Sequence, residues 1–102
     1  MKKIYITKED KNILESVLMG DFDVYVFGSR ITGKHQPFSD IDICLKSSTK
    51  IDRAILAELR FKLADSNLPY KVDLIDYHSL DADFQTLINS QAVKLTETEA
   101  IL

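Results

Sequence analysis

The sequence predicts an α/β (α+β) fold, in which helices flank a small mixed β-sheet. Three short segments rich in β-forming residues are interspersed with three longer segments whose apolar residues recur at helical spacing. Their order, α-β-β-α-β-α, suits a small sheet with helices packed against it. The chain has 102 residues, which is enough for one compact domain and too few for two. We therefore expect a single domain over residues 1–102.

Two helices are predicted in the first two thirds of the chain. The first covers about residues 8–19, because Thr7 can cap its start and Gly20 is a natural stop. The second starts in the capping sequence at 49–52 and ends at 67–69, where Asn-Leu-Pro interrupts it. Apolar residues four apart define its expected buried face: Ile51, Ile55, Leu59 and Leu63, with Leu56 beside them.

A third helix is predicted near the end of the chain. Ser79 or Asp81 can open it, and it runs to about Asn89. Its expected apolar face consists of Phe84, Leu87 and Ile88. Residues 92–102 are weakly patterned, and we assign them no element.

Three strands are predicted between these helices, at residues 24–27, 40–46 and 70–75. The first is an apolar run of β-formers and suits a buried strand, with Tyr25 and Phe27 in the core. The second alternates along its length, so that one face is apolar and the other polar. The apolar face carries Ile41, Ile43 and Leu45, and the other face carries Asp40, Asp42 and Cys44.

Composition excludes several classes of protein. The net charge of −3 provides no strong basic field, so we expect no tight binding to nucleic acid. The single cysteine, Cys44, cannot form an internal disulfide, and we interpret it as a packed thiol in a protein of the reducing cytoplasm. The apolar run near Met1 is too short for a secretion signal, and no segment approaches the length of a membrane span.

The two aspartates at 40 and 42 are unusual for a strand. Because side chains alternate, both carboxylates lie on one face, about 7 Å apart along the backbone. Two such anions repel each other unless a cation lies between them, and oxygen ligands suit magnesium. Two magnesium ions can hold the attacking and leaving oxygens of an in-line displacement at phosphorus. Asp40 and Asp42 are therefore candidate metal ligands.

A second candidate group surrounds Gly28, at the end of the first strand. Glycine lets the backbone turn sharply, and a helical turn that begins at Ser29 directs free N–H groups at a phosphate. The Ser29 hydroxyl and the Arg30 guanidinium can add hydrogen bonds to the same group. Asp73, on the third strand, can complete a metal site beside Asp42 and help deprotonate an acceptor hydroxyl.

These residues also resemble a known family. Gly28-Ser29, followed after ten residues by Asp40-Ile41-Asp42, resembles the signature of the DNA-polymerase-β-like nucleotidyltransferases. The sequence FGSR…SDIDICL resembles the corresponding segment of the family's minimal members, the MNT domains. KVDLID resembles the strand of the family's third carboxylate, and FQTLINSQAVKL resembles the closing segment of MNT proteins. The resemblance covers most of the chain, from about Asp23 to Ile75.

The resemblance implies an activity and a partner. Members transfer a nucleoside monophosphate from a nucleoside triphosphate to a hydroxyl, with release of pyrophosphate. MNT proteins are commonly encoded beside HEPN toxins, and in characterised pairs the MNT protein adenylylates a toxin tyrosine. We therefore expect a magnesium-dependent adenylyltransferase with ATP as substrate, two magnesium ions, and a HEPN toxin as partner in a hetero-oligomer.

Two alternatives remain open. In one, the protein is an antitoxin without catalysis that neutralises its partner by masking it. In the other, it transfers a nucleotide to a small molecule, although little of the chain remains to build a pocket for one. Three carboxylates on one face favour an enzyme, because a pure binder has no physical need for them. The base preference, the number of nucleotides transferred and the acceptor residue are not defined by the sequence.

Overall fold

The computed structural model describes residues 1–102, the whole chain, as two small sheets and four helices. The strands are β1 (Lys2–Ile4), β2 (Asp23–Phe27), β3 (Ile41–Lys46), β4 (Val72–Asp76), β5 (Val93–Lys94) and β6 (Thr98–Ala100). The helices are α1 (Lys8–Val17), the single turn α2 (Ser29–Thr32), α3 (Arg53–Ala64) and α4 (Ala82–Gln91). Short 3-10 turns lie at Tyr77–Ser79 and Leu95–Glu97. The predicted fold class, a small mixed sheet with flanking helices, is confirmed.

The four-stranded sheet has the order β4-β3-β2-β5. Strand β3 is antiparallel to β2 and parallel to β4, and β5 is antiparallel to β2. The connection from β3 to β4 contains α3, as expected because parallel neighbours need a long crossover. Strand β3 is therefore central, and β4 forms one edge of the sheet.

One face of this sheet builds the hydrophobic core. Val26, Ile43 and Leu45 are fully buried there. They belong to one apolar cluster with residues from the region of α1 and from α3, namely Leu14, Leu18, Leu56, Leu59 and Leu63. Because side chains alternate along a strand, the neighbours of these core residues, including Asp42, project from the opposite face. The candidate site lies on that opposite face.

Helix α3 differs from its prediction in its start and in its buried face. The Asp52 carboxylate accepts a hydrogen bond from Ala54 N at 2.8 Å, and this cap begins the helix at Arg53. The prediction counted Ile51 as helical, although it lies before the cap. Ile55, predicted to be buried, is 47% exposed, while Leu56 is buried.

Both ends of the chain contain strands that the sequence did not predict. Strands β1 and β6 pair in parallel, with Lys2 opposite Thr98, and β5 adds two residues to the main sheet. Strands of two or three residues are too short to show the alternation on which strand prediction depends. None of the four helices has the length and apolar character needed to cross a lipid bilayer.

Tyr25 and Phe27 do not lie in the core as predicted. Both are partly exposed, because they alternate with the buried Val26 and therefore project from the opposite face. The Phe27 ring instead meets the edge of Phe84 on α4, with 5.9 Å between ring centroids. Helix α4 thus covers part of the face that carries the candidate site.

Candidate active site

Strand pairing brings two of the predicted carboxylates together. On β3, Asp42 is the register partner of Phe27 on β2 and of Asp73 on β4. Register partners on neighbouring strands project from the same face, so Asp42 and Asp73 share one face of the sheet. Asp40 lies just before β3, where the chain enters the strand. Asp40 and Asp73 are exposed, whereas Asp42 is partly buried.

The charges of these carboxylates act on one another. Burial raises the pKa of Asp42, and the negative charges of Asp73 and then Asp40 raise it further. No cation of the chain pairs with any of the three, because the two ion pairs present join Lys62 to Glu58 and Lys94 to Asp23. The site is therefore a local concentration of negative charge with no compensating side chain.

Gly28 allows the turn between β2 and α2 to lie directly against Asp42. Its backbone has φ 81° and ψ −156°, a region that essentially only glycine occupies. A Cβ atom at this position would overlap Asp42 Oδ2. Because glycine has no side chain, it can adopt this backbone conformation and also leaves room for the Asp42 carboxylate.

Gly28→Ala is expected to lower both stability and function. The strained backbone costs roughly 1–3 kcal/mol of folding free energy, and the new methyl group displaces the Asp42 carboxylate. Thermal melting and a nucleotide-transfer assay measure the two effects. Gly33→Ala is the matched control, because Gly33 has φ 82° and its Cβ would meet the Tyr5 ring instead of a site carboxylate. It should lose stability and keep transfer; equal loss of transfer in both variants would contradict this role of Gly28.

Ser29 begins α2, as predicted. The first amides of a helix, here those of Ser29 and Arg30, have no acceptor within the helix, so they can donate to a ligand. The carbonyl of Gly28 accepts from Ile31 N at 3.1 Å and from Thr32 N at 3.2 Å. These bonds fix the turn that begins at Gly28, the residue that lies against Asp42.

Arg30 requires a correction. Its side chain was predicted to contact the triphosphate, but it is 2% exposed and its guanidinium is bonded to backbone carbonyls. It donates to Tyr5 O at 3.0 Å and to Ser39 O at 2.9 Å, and it lies over the Tyr70 ring at 4.1 Å. A further bond reaches Pro37 O at 3.2 Å. The Arg30 side chain therefore fixes the loop that leads to Asp40, and only the backbone amide of Arg30 is left to meet a phosphate.

Cys44 is a packed thiol, as predicted. It is free and fully buried. Burial, together with the negative charge of Asp76, raises the pKa of Cys44 to about 11. A thiol that stays protonated is a poor nucleophile, so Cys44 takes no part in chemistry at the site.

The carboxylates of the candidate site suit magnesium better than a metal that takes all of its ligands from the protein. The carboxylates of Asp40, Asp42 and Asp73 do not form a ready-made cage of three ligands. Magnesium commonly takes only one or two carboxylates from the protein and completes its shell with water and substrate phosphates. Asp42 and its acidic neighbours supply oxygen donors of this kind beside a turn with free amides.

A Gly-Ser turn lies against Asp42, with Asp73 opposite on the adjacent strand and Asp40 just before β3. This is the arrangement expected of a nucleotidyltransferase. The chain belongs to the polymerase β nucleotidyltransferase family. The family model described as "Polymerase beta, Nucleotidyltransferase" matches residues 5–100.

Two relatives within this family are especially informative about its biochemical role. The chain is 35% identical over 89 residues to a Haemophilus influenzae protein named "Probable protein adenylyltransferase MntA", covering 87% of this chain and 77% of the relative. It is similar to a chain in the crystal structure of a toxin–antitoxin with AMP-PNP, with a TM-score of 0.67 and 30% identity over 86% of this chain and 72% of the other.

A second solved structure contains a modified toxin. It is described as a tri-AMPylated Shewanella oneidensis HEPN toxin in complex with an MNT antitoxin. The matched chain has a TM-score of 0.64 and 26% identity, over 88% of this chain and 71% of the other.

Proposed function

We propose that this protein is a magnesium-dependent adenylyltransferase that transfers AMP from ATP to a tyrosine hydroxyl of a HEPN partner and so acts as its antitoxin. The observation that carries the proposal is the register of Asp42 with Asp73, directly beside the Gly28 turn. The relatives named above, an adenylyltransferase and an MNT antitoxin bound to an AMPylated HEPN toxin, support the substrate and the partner.

In this proposal the three aspartates have different roles. Asp40 and Asp42 hold magnesium, and Asp73 completes the metal site and accepts the proton of the acceptor hydroxyl. Magnesium, when bound, supplies positive charge that offsets the phosphates and the carboxylates. Two ions would follow the two-metal pattern for in-line displacement at phosphorus.

The turn at Gly28 and Ser29 positions the nucleotide. Its amides and the Ser29 hydroxyl bind the triphosphate, while Arg30 keeps the loop before Asp40 in place. The deprotonated acceptor oxygen attacks the α-phosphorus, the bond from that phosphorus to the bridging oxygen breaks, and pyrophosphate leaves. We place this reaction in the cytoplasm, where a lone thiol such as Cys44 stays reduced.

Incubation with a HEPN-family partner protein tests the proposal. Both proteins are mixed with magnesium and each of the four nucleoside triphosphates in turn, and the masses of both are then measured. We expect the partner to gain one or more AMP units with ATP, and a tyrosine to carry them. No mass gain on the partner with any nucleotide would refute the proposed function.

Ser29→Ala is expected to slow transfer without abolishing it. A hydrogen bond to a charged group contributes about 1.5–3 kcal/mol, and each 1.36 kcal/mol is tenfold in rate. The loss should therefore be roughly ten- to a hundredfold, measured at saturating ATP. Ser48→Ala, at an exposed loop position, is the control. An unchanged rate in Ser29→Ala would remove this hydroxyl from the site.

A further inference from the structure

A groove lies along the outer edge of the main sheet, between α3 and β4. Its volume is about 610 Å³, within the range of binding pockets. Seven of its ten lining residues are hydrophobic, so most of its wall is apolar. Arg60, Leu63 and Ala64 of α3 form one side, Leu68 and Tyr70 of the next loop form the end, and β4 forms the other side.

The walls of the groove are fixed by internal contacts. Tyr70 donates a hydrogen bond to Asp10 Oδ2 at 3.0 Å, and the Arg30 guanidinium lies over its ring. Leu63 is buried in the core. Because these contacts lie within the chain, its own fold holds the walls of the groove, and an occupant need not order them on binding.

The groove is continuous with the candidate active site through Asp73. Asp73 is one of its lining residues and is also the register partner of Asp42. The proposed acceptor base thus lies where the groove meets the carboxylates. A molecule bound in the groove would reach the site from the side of Asp73, whereas the Gly28 turn approaches Asp42 from β2 on its other side.

The edge of β4 is partly covered against the addition of another strand. The backbone carbonyl of Lys71 accepts from Ile41 N at 3.0 Å, so the backbone polar groups of Lys71 face β3. These groups alternate in direction along a strand, and those of Leu74 therefore face away from the sheet. The outward carbonyl of Leu74 is already bonded to Arg60 Nη2 at 2.7 Å. Arg60 therefore covers this edge, as charged side chains commonly do to prevent strand addition. We therefore expect the occupant to bind mainly through its side chains.

Charge defines the chemistry of that occupant. Arg60 and Lys71 line the groove, and neither belongs to the two ion pairs of the chain. Arg60 also bonds the Leu74 carbonyl, but neither cation has a carboxylate partner, and together they outnumber Asp73, the one acidic residue that lines the groove. Two such cations on an apolar wall complement a segment that carries both apolar and acidic side chains. An uncharged small molecule would leave both cations without a carboxylate partner.

We propose that this groove is the docking surface for the protein acceptor, and that a segment with apolar and acidic side chains lies in it and presents its hydroxyl to Asp73. The inference rests on the proposed transfer of AMP to a HEPN partner. It adds the surface that the partner occupies and the side of the site from which the acceptor enters.

Kinetics with groove variants test this docking surface. Ala64→Trp fills the groove at an exposed position, and Lys71→Glu reverses one of its charges. Both should raise KM for the HEPN partner about tenfold or more. Ala64→Trp, which leaves the charges near Asp73 in place, should also keep kcat at saturating partner and the affinity for a non-hydrolysable ATP analogue. The controls are Ala57→Trp, two turns earlier on the same helix and outside the groove, and Lys50→Glu. Unchanged KM in both groove variants, or an equal rise in the controls, would overturn the proposal.

Photo-crosslinking separates the groove from the proposed function. A benzophenone amino acid is placed at position 64 or position 57, and each protein is irradiated in complex with the HEPN partner. We expect position 64 to label the partner peptide that carries the acceptor. Labelling from 57 alone, or from neither position, would overturn the docking surface even if the wild-type protein transfers AMP. A wild-type protein that transfers nothing would refute the function, and a crosslink from 64 would still locate the partner in the groove.

Discussion

Replacing Asp42 with asparagine is expected to reduce AMP transfer to background and, at neutral pH, to raise the melting temperature of the metal-free protein. Transfer is lost because an amide carries no charge with which to hold magnesium between the protein and the triphosphate. Stability rises because the native carboxylate is partly buried and lies near the charges of Asp73 and Asp40, all of which raise its pKa. Asparagine keeps the shape and removes the repulsion.

The sign of the pH dependence follows from that raised pKa. A carboxyl whose pKa is higher in the folded chain than in the unfolded chain stabilises the fold while it is protonated. That contribution is fully present below the ordinary range of an aspartate, about pH 3.9, and is lost as the pH rises through the raised pKa. The advantage of Asp42→Asn should therefore be absent at low pH and grow toward pH 7.

Melting curves between about pH 4 and pH 7, recorded with a chelator present, measure this difference. Asp21→Asn is the control, since Asp21 is an exposed loop residue away from the site, and its melting temperature should follow the wild type at every pH. Full transfer by Asp42→Asn in the presence of magnesium would remove this residue from the site. A lower melting temperature at pH 7 would show that the carboxylate is stabilised in the fold, contrary to the raised pKa.

The position of Asp42 on the same face of the sheet as Asp73 could be predicted from the sequence. Alternation along a strand assigns Asp42 to the face opposite Ile43, and this depends only on local geometry. The pairing of Asp42 with Asp73 required one further assumption, that β3 and β4 are neighbours. Short chains with few strands leave few alternatives, and the structure has this pairing.

Arg30 shows where the same reasoning failed. Its position beside Ser29 suggested a role at the phosphate, but successive residues of a helical turn point about 100° apart. Its acceptors belong to Tyr5, Pro37 and Ser39, and their proximity depends on tertiary packing that no local pattern encodes. The groove beside β4 was missed for a related reason, because it is bounded by residues from a helix, a loop and an edge strand.

The parallel pair of β1 and β6 was also beyond local prediction. Lys2 and Thr98 are brought together only by the completed fold, and each strand has three residues. Buried residues such as Ile4 and Leu95 near these strands belong to the core. Such short strands are formed by the packing of their neighbours rather than by their own propensity.

Catalytic silencing of the partner is the second large effect we expect. An enzyme turns over, so a small fraction of this protein should inactivate an excess of HEPN partner when ATP and magnesium are present. The partner should stay silent after this protein has been removed, since AMP is attached covalently. Masking would require one protein for each partner, would not depend on nucleotide, and would reverse on separation.

The double variant Asp40→Ala, Asp42→Ala distinguishes these two mechanisms. It should fold, because Asp40 is exposed, Asp42 is only partly buried and neither packs in the core. It should also keep the groove beside β4, so that the partner can still bind. Melting temperature and partner affinity, measured alongside the activity of the partner, verify both conditions.

We expect this variant to bind the partner and fail to protect against it at low ratios, whatever the nucleotide concentration. Protection at one-to-one ratios alone would show that masking exists as a second, weaker activity. Full protection by the double variant at substoichiometric amounts would refute the catalytic mechanism. Without the carboxylates of Asp40 and Asp42, the variant has no side chains with which to hold magnesium against the triphosphate. Any turnover by this variant would therefore have to be catalysed outside the proposed active site.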